Sequence, residues 1–159
     1  MKKNEEILLF CVNIDCIEDM IKKLIDLYRV ELYNYNNIAK RYGVYLKPVH
    51  IAVKRYRNGT KVYHYYGRYW YKIMYSEGRL VWTYIGKEKP LNELPDPPLN
   101  PFMVVKVLRS EDREKACVYV DNRYSLQSIC RYFVSALESS ATCSDLDKRI
   151  VLSNSVAEC

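Results

Sequence analysis

The stretch Val49–Lys89, V-H-I-A-V-K-R-Y-R-N-G-T-K-V-Y-H-Y-Y-G-R-Y-W-Y-K-I-M-Y-S-E-G-R-L-V-W-T-Y-I-G-K-E-K, decides the fold. It is almost continuously aromatic and β-branched, which is the composition of strands, and two turn signals cut it. Asn58-Gly59 is the strongest short hairpin signal, because a type I′ turn needs φ > 0 at both central residues. Glu77-Gly78 is a weaker form of the same device. The spacing predicts a three-stranded antiparallel meander over 49–57, 60–75 and 79–86. A two-residue loop at Asn58-Gly59 sets Arg57 against Thr60, Arg55 against Val62 and Val53 against His64. A loop at Glu77-Gly78 sets Tyr75 against Leu80, Ile73 against Trp82 and Tyr71 against Tyr84.

The two registers put apolar residues on opposite parities. Val49, Ile51, Val53, Val62 and Tyr66 share a face by the first, and Tyr69, Tyr71, Ile73, Tyr75, Leu80, Trp82 and Tyr84 share one by the second. A bulge at Gly67 reconciles them, because one extra residue moves every later side chain across the sheet. The expectation is therefore a core face carrying these apolar residues. The opposite face carries Lys54, Tyr56, Lys61, Tyr63, Tyr65, Arg68, Trp70, Lys72, Thr83 and Lys87, with Arg55 and Arg57 reaching round near the loop.

Charge follows the same division. Residues 47–89 hold ten Lys/Arg against two acids, while the flanking segments are neutral or slightly acidic, so the overall +6 is local to this stretch. Positive charge on one sheet face suits a polyanion, since each phosphate neutralised releases counterions, and the interleaved rings suit stacking on bases. A solvated face whose Lys and Arg discourage edge-to-edge pairing would have the same composition. The nucleic-acid-binding set is Lys54, Arg55, Arg57, Lys61, Tyr63, Tyr65, Arg68, Trp70, Lys72 and Lys87.

The run R-Y-W-Y-K-I-M-Y-S-E-G-R-L-V-W-T-Y-I-G-K (68–87) is an aromatic strand, an E-G turn and a strand closing in Tyr-Ile-Gly. This hairpin resembles the N-terminal arm of integrases from spindle-shaped viruses of Sulfolobus, and small DNA-binding modules of archaeal mobile elements. The resemblance spans about 25 of the residues and implies a DNA-associated role in an archaeal virus or plasmid, and hence a hyperthermophilic setting. Recombinase activity does not carry over, because nothing else in the chain resembles a tyrosine-recombinase catalytic domain.

At 159 residues, 49% hydrophobic and 28% charged, the chain reads as one folded α+β domain over 1–145, with a tail over 146–159 whose end is disordered. The sheet is expected to hold about five strands, with a long N-terminal helix and a C-terminal helix. Asp15, with Glu18 three residues on, opens a helix over 16–42. Its apolar stripe is Ile17, Met20/Ile21, Leu24, Tyr28, Leu32, Tyr35, Ile38 and Tyr42, and Gly43 stops it. That helix would lie across the sheet; its other use is a homodimer through 16–42 as a coiled-coil seam, which Glu31 interrupts. The segment 90–101 carries five prolines and reads as a stiff extended connector. Strands follow at 102–109 and 116–120, extending the first sheet, and then a helix from Ser125 to Ala141. Met1–Asn4 is expected to fray.

Several chemistries find no motif. Five glycines cannot assemble a phosphate loop, and no His-hydrophobic-His pair exists for a nicking site. Six cysteines are too few for a disulfide scaffold, and Cys11-x4-Cys16 is not a zinc spacing, so the cysteines read as small buried hydrophobes. One intramolecular disulfide would be tolerated in a hyperthermophile. No cofactor is expected for a binding protein. The alternative is a metal-dependent nuclease, with Mg held by acids converging from Glu88, Asp96 and Asp112. No secretory signal and no long apolar run is present, so the expectation is an intracellular protein in the host cytoplasm, with DNA or single-stranded nucleic acid as partner and no membrane.

Overall fold

The computed structural model describes residues 6–121 and 126–155. In chain order these form β1 (Glu6–Asn13), α1 (Ile14–Ala39), a 3-10 turn (Lys40–Tyr42), β2 (Val44–Tyr56), β3 (Gly59–Ser76) and β4 (Arg79–Gly86). There follow α2 (Pro101–Val104), β5 (Val105–Arg109), β6 (Lys115–Asp121), α3 (Leu126–Glu138) and α4 (Asp145–Ser155). The mixed α+β class, the long N-terminal helix and the antiparallel pairing agree with the sequence reading. The single five-stranded sheet does not: six strands form two separate three-stranded sheets, β1-β6-β5 and β2-β3-β4. The second hairpin pairs with β1 and does not extend the meander.

The chain divides into two compact units, one made of the residues up to Tyr28 with those from Leu99 on, the other of Arg29–Pro98. In the first unit β6 is the central strand, and Ala116, Val118 and Val120 alternate into the core. β1 supplies Phe10 and Val12, its phase adjusted by a bulge at Leu9. Cys16, Ile17, Met20 and Leu24 from α1 close over them at three- and four-residue spacing, with Ile129, Phe133, Ala136 and Leu137 from α3. Phe10 meets Phe133 edge-on, with centroids 5.5 Å apart.

Capping residues set one helix start two places from the one expected and two more where no helix was expected. Asn13, not Asp15, accepts the Asp15 N–H at 3.0 Å and begins α1. Asn100 accepts the Phe102 N–H at 3.0 Å with Pro101 at the first helical position, so 101–104 is helix where the end of the connector and the start of a strand were expected. Ser144 and Asp147 form a reciprocal capping box (Asp147 N–H to Ser144 Oγ 3.1 Å, Ser144 N–H to Asp147 Oδ2 3.3 Å), which makes α4 out of most of the expected tail. Ser125, Met1–Asn4 and residues 156–159 lie outside the described residues.

The cysteines are cross-links. Cys11 is bonded to Cys117, its partner across the β1–β6 ladder, and Cys16 to Cys143. Cys130 is disulfide-bonded too, and none is free among the described residues. The reading as unpaired hydrophobes is corrected. Residues 106 and 127 positions apart in sequence had to be brought together by strand pairing and helix packing that no spacing rule exposes.

In the second unit α1 continues to Ala39, and Gly43 (φ +71) returns its N–H to Lys40 O at 3.0 Å to end the helix. β2 starts at once. A small core of Leu32, Tyr35, Asn36, Ala39, Val44, Leu46, Trp70 and Leu94 holds the base of the sheet to the helix. The buried Asn36 amide donates to Leu46 O at 2.8 Å and accepts the Leu46 N–H at 2.9 Å, standing in for a neighbouring strand at this edge. The proline-rich segment is fastened down here. Leu94 is buried, Lys89 donates to Leu94 O (2.9 Å) and to Asp96 (2.6 Å), and the Tyr35 hydroxyl donates to Pro95 O (2.6 Å).

Candidate nucleic-acid interface

Beyond its base, the β2-β3-β4 sheet is a ribbon with little covering it. Its buried residues are Val44, Leu46, Pro48 and Trp70, all near the start of β2 and all on one side by the pairing. From Ile51 outward both sides are open. Ile51, Val53, Val62, Leu80, Trp82 and Tyr84 are exposed, and Tyr75 is 81% exposed.

The far turn follows the expected register in full. Ser76 faces Arg79, Tyr75 faces Leu80, Ile73 faces Trp82 and Tyr71 faces Tyr84, round Glu77 (φ +49) and Gly78 (φ +74). The near turn is shifted. Its two loop residues are Arg57 and Asn58, neither with positive φ, and Gly59 (φ +135) opens β3 opposite Tyr56. Arg55 therefore faces Thr60, and Val53 faces Val62, a slip of two that preserves the faces. The bulge expected at Gly67 is present. Lys47 faces Tyr69 and Val49 faces Tyr66, so Gly67 and Arg68 together oppose Pro48, with Gly67 at φ +53. A second bulge lies at Ile85, between the pairs Trp70–Gly86 and Tyr71–Tyr84.

The bulge turns a stripe of aromatic rings from one side of the pleat to the other. The stripe begins with Tyr45 against Trp82 (centroids 4.8 Å), passes to Tyr71 (6.5 Å), Tyr84 (5.8 Å) and Tyr69 (6.0 Å), and crosses to Tyr65 (5.8 Å). It continues to Tyr63 (6.4 Å, nearly parallel), whose hydroxyl meets that of Tyr56 at 3.4 Å. That hydrogen bond holds the Tyr56 phenol above its ordinary value. Most neighbours meet edge to face, the arrangement favoured by the ring quadrupole.

A cation sits over nearly every step. Lys40 lies 5.5 Å from Tyr45, Lys47 5.5 Å from Tyr71, Arg68 5.1 Å from Tyr65 and 5.8 Å from Tyr69, Lys54 5.2 Å from Tyr63, and Lys61 5.6 Å from Tyr56. Among the described residues none of Lys40, Lys47, Lys54, Lys61 and Arg68 makes an ion pair. Lys54 and Lys61 face each other directly across the ladder, a like-charge pairing that works against the hairpin unless an anion joins it.

Of the expected binding residues, Lys54, Arg55, Arg57, Lys61, Lys72 and Lys87 are exposed, and Tyr63, Tyr65 and Arg68 are half-buried within the stripe. Trp70 is corrected. It lies on the expected side of the pleat but is only 2% exposed, edge-on to Tyr35 at 6.2 Å in the core of the unit. The presumed core face is corrected with it, since Tyr71, Trp82 and Tyr84 form the open stripe. Sequence reasoning missed Lys40, Tyr45, Lys47 and Tyr69 as members; the signal available was the regular interleaving of Lys or Arg with Tyr on both parities.

Of the acids offered for the alternative, Glu88 is exposed and Asp96 is paired with Lys89 at 2.6 Å. Asp112 belongs to the first unit, where it bonds Ser110 and accepts the Glu114 N–H at 3.0 Å. The Ser110 hydroxyl, before the backbone, holds its pKa down, as a turn carboxylate's would be. No group of three or more metal-ligating side chains occurs among the described residues, and none of their helices is long and apolar enough to cross a membrane. Of the helical stripe offered for dimerisation, Ile17, Met20, Leu24, Tyr28, Leu32 and Tyr35 are buried within the chain, Ile21 is half-buried, and Ile38 and Tyr42 are exposed. Compared with protein-family models, with curated proteins and with solved structures, the chain finds no match in any of the three.

Proposed function

We propose that this protein binds nucleic acid, DNA in the first place, along the aromatic and cationic stripe of its β2-β3-β4 ribbon. The observation that carries the reading is the unbroken line of rings from Tyr45 to Tyr56 with cations over it that make no ion pair among the described residues. A continuous exposed line of rings marks an interaction surface, and bases offer a π-face to every ring. The cations supply the sequence-independent phosphate contacts that fix a polynucleotide in place. An accessory or regulatory role in an archaeal mobile element is what the resemblance of the 68–87 hairpin supports. The nuclease alternative has no comparable support: Asp96 is engaged by Lys89, and Asp112 holds a turn through Ser110 and the Glu114 N–H.

A salt titration tests the reading. Roughly six phosphate contacts give log K against log salt a slope of about −5 on duplex and about −4 on a single strand. Lys54→Ala, Lys61→Ala and Lys72→Ala together should flatten that slope by two or more. A salt-independent affinity, or no binding of any polynucleotide, would sink it.

A further inference from the structure

At the head of the stripe the second unit has a cleft of about 350 Å³, walled by Tyr33, Tyr45, Tyr71 and Trp82, with Arg29 and Lys47 also lining it. We infer that this cleft takes one unpaired nucleobase of a single-stranded polynucleotide, with an adjoining phosphate at Lys47 and Arg29. The inference rests on the nucleic-acid reading and adds to it a strand preference and a specific contact point.

Four features converge. The volume lies in the range of small-ligand sites, room for a base with its sugar and too little for a base pair in its duplex. The four rings come from three strands and α1, and the pairs within the cleft meet at 81° (Tyr45 with Trp82) and 71° (Tyr71 with Trp82). Rings packed edge to face leave ring surface uncovered, and Trp82 remains 44% exposed, which is what a stacking base requires. Both charged residues of the lining are cationic, Arg29 donating to the Tyr33 hydroxyl at 3.4 Å, so the mouth of the cleft attracts a phosphate. Lys47 is already held over Tyr71 at 5.5 Å, within reach of a phosphate attached to a base stacked there. Because Tyr45, Trp82 and Tyr71 are also the first three rings of the stripe, a strand lying along the ribbon arrives at the cleft with its bases already turned inward. A paired base cannot enter without unstacking, and the cleft therefore discriminates against duplex.

The test compares fluorescein-labelled oligothymidylate of about a dozen nucleotides, the same backbone made abasic, and the matched duplex, by anisotropy at fixed salt. Oligouridylate run alongside tells a DNA from an RNA source. The wild-type protein should prefer oligothymidylate to both the duplex and the abasic strand. Trp82→Ala should weaken oligothymidylate about tenfold, the size of one lost base–ring stack, and leave the abasic strand unchanged. Trp82→Phe should restore binding to within about threefold, which separates stacking from misfolding. Salt-dependent binding that Trp82→Ala leaves intact, or weakens equally for both strands, overturns the cleft and leaves the ribbon reading standing. Absence of binding to any strand overturns both.

Discussion

The molecule contains two antiparallel sheets of three strands each, and they are used in opposite ways. The β1-β6-β5 sheet is the floor of a core of seventeen buried residues, counted among the described ones, roofed by α1, α3 and α4, with two described disulfides tying its parts together. The β2-β3-β4 sheet buries Val44, Leu46, Pro48 and Trp70 at its base and leaves the rest half-buried or exposed. Strand composition does not explain the difference, because Val, Ile, Tyr and Trp fill the ribbon as densely as they fill the floor. What differs is the supply of covering helices. A side chain that forms a good strand becomes core only where another element is available to roof it. Where none is, the same rings are a surface that calls for a partner.

The comparison can be broken most forcefully at the cross-links. The Cys11–Cys117 and Cys16–Cys143 bonds close loops of more than a hundred residues, so removing either one should cost about 5 kcal/mol on a chain-entropy account. Cys16→Ala with Cys143→Ala, or a reductant, should lower the melting temperature markedly while leaving the nucleic-acid affinity of the folded protein unchanged. Loss of affinity in step with the first unit's unfolding would show that the ribbon is not independently held.

The two tryptophans sharpen it further. Trp70 is 2% exposed and Trp82 44%, one in the small core of the second unit and the other on the open stripe. Trp70→Ala should cost about 3–5 kcal/mol by denaturant unfolding, while Trp82→Ala should stay within about 0.5 kcal/mol. Equal costs would mean that the open side of the ribbon is packed after all.

Those two residues also show where sequence reasoning succeeded and stopped. The Glu77-Gly78 turn set every pair from Ser76–Arg79 to Tyr71–Tyr84, because both turn residues adopt the positive φ that a type I′ loop demands. Asn58-Gly59 misled by one position. Only Gly59 takes a positive φ, and it does so as the first residue of β3, so the loop moved back to Arg57-Asn58. The parity conflict did locate the bulge at Gly67, and it sorted Trp70 with Lys54 and Lys61 correctly. It then named the wrong side as core, because alternation reports which residues share a face and is silent about which face is roofed. The disulfides were illegible for a related reason. Cys11 meets Cys117 only once β1 chooses β6, and that pairing is long-range. The Asn100-Pro101 and Ser144-x-x-Asp147 helix starts, by contrast, are legible in the sequence as an N-cap before proline and a reciprocal cap.

A smaller effect is expected at the bulge. Gly67 sits at φ +53, where a β-branched residue is strained, so Gly67→Val should cost about 1–3 kcal/mol. The crossing from Tyr69 to Tyr65 depends on this bend, so affinity for oligothymidylate should fall along with stability. Gly67→Asn, which tolerates the left-handed region, should recover most of both. A variant with Val at this position and unchanged affinity would show that the two halves of the stripe act separately.

The smallest effect comes from Tyr35, which ties α1 to the proline-rich segment within the second unit. Burial, and then the Asp96 carboxylate, push its phenol from 10.0 up to about 12. Its hydroxyl donates to Pro95 O at 2.6 Å, a bond that the phenolate cannot make. The folded-state value lies above the unfolded one, so the protonated form is the one folding favours. Its contribution is fully present below about pH 10 and is lost as the pH rises from about 10 to about 12. The loss cannot be steeper than one proton, about 1.4 kcal/mol per pH unit. Tyr35→Phe should cost about 1 kcal/mol at neutral pH, through the unpaired Pro95 carbonyl. It should also remove one proton's worth of slope from the alkaline limb of the second unit's stability. The other tyrosines titrate in both proteins, so the readout is the difference between the two pH profiles of denaturant midpoints. Parallel profiles above pH 10 would mean that the Tyr35 hydroxyl reaches water freely and that the proline-rich segment is not fastened to the helix there.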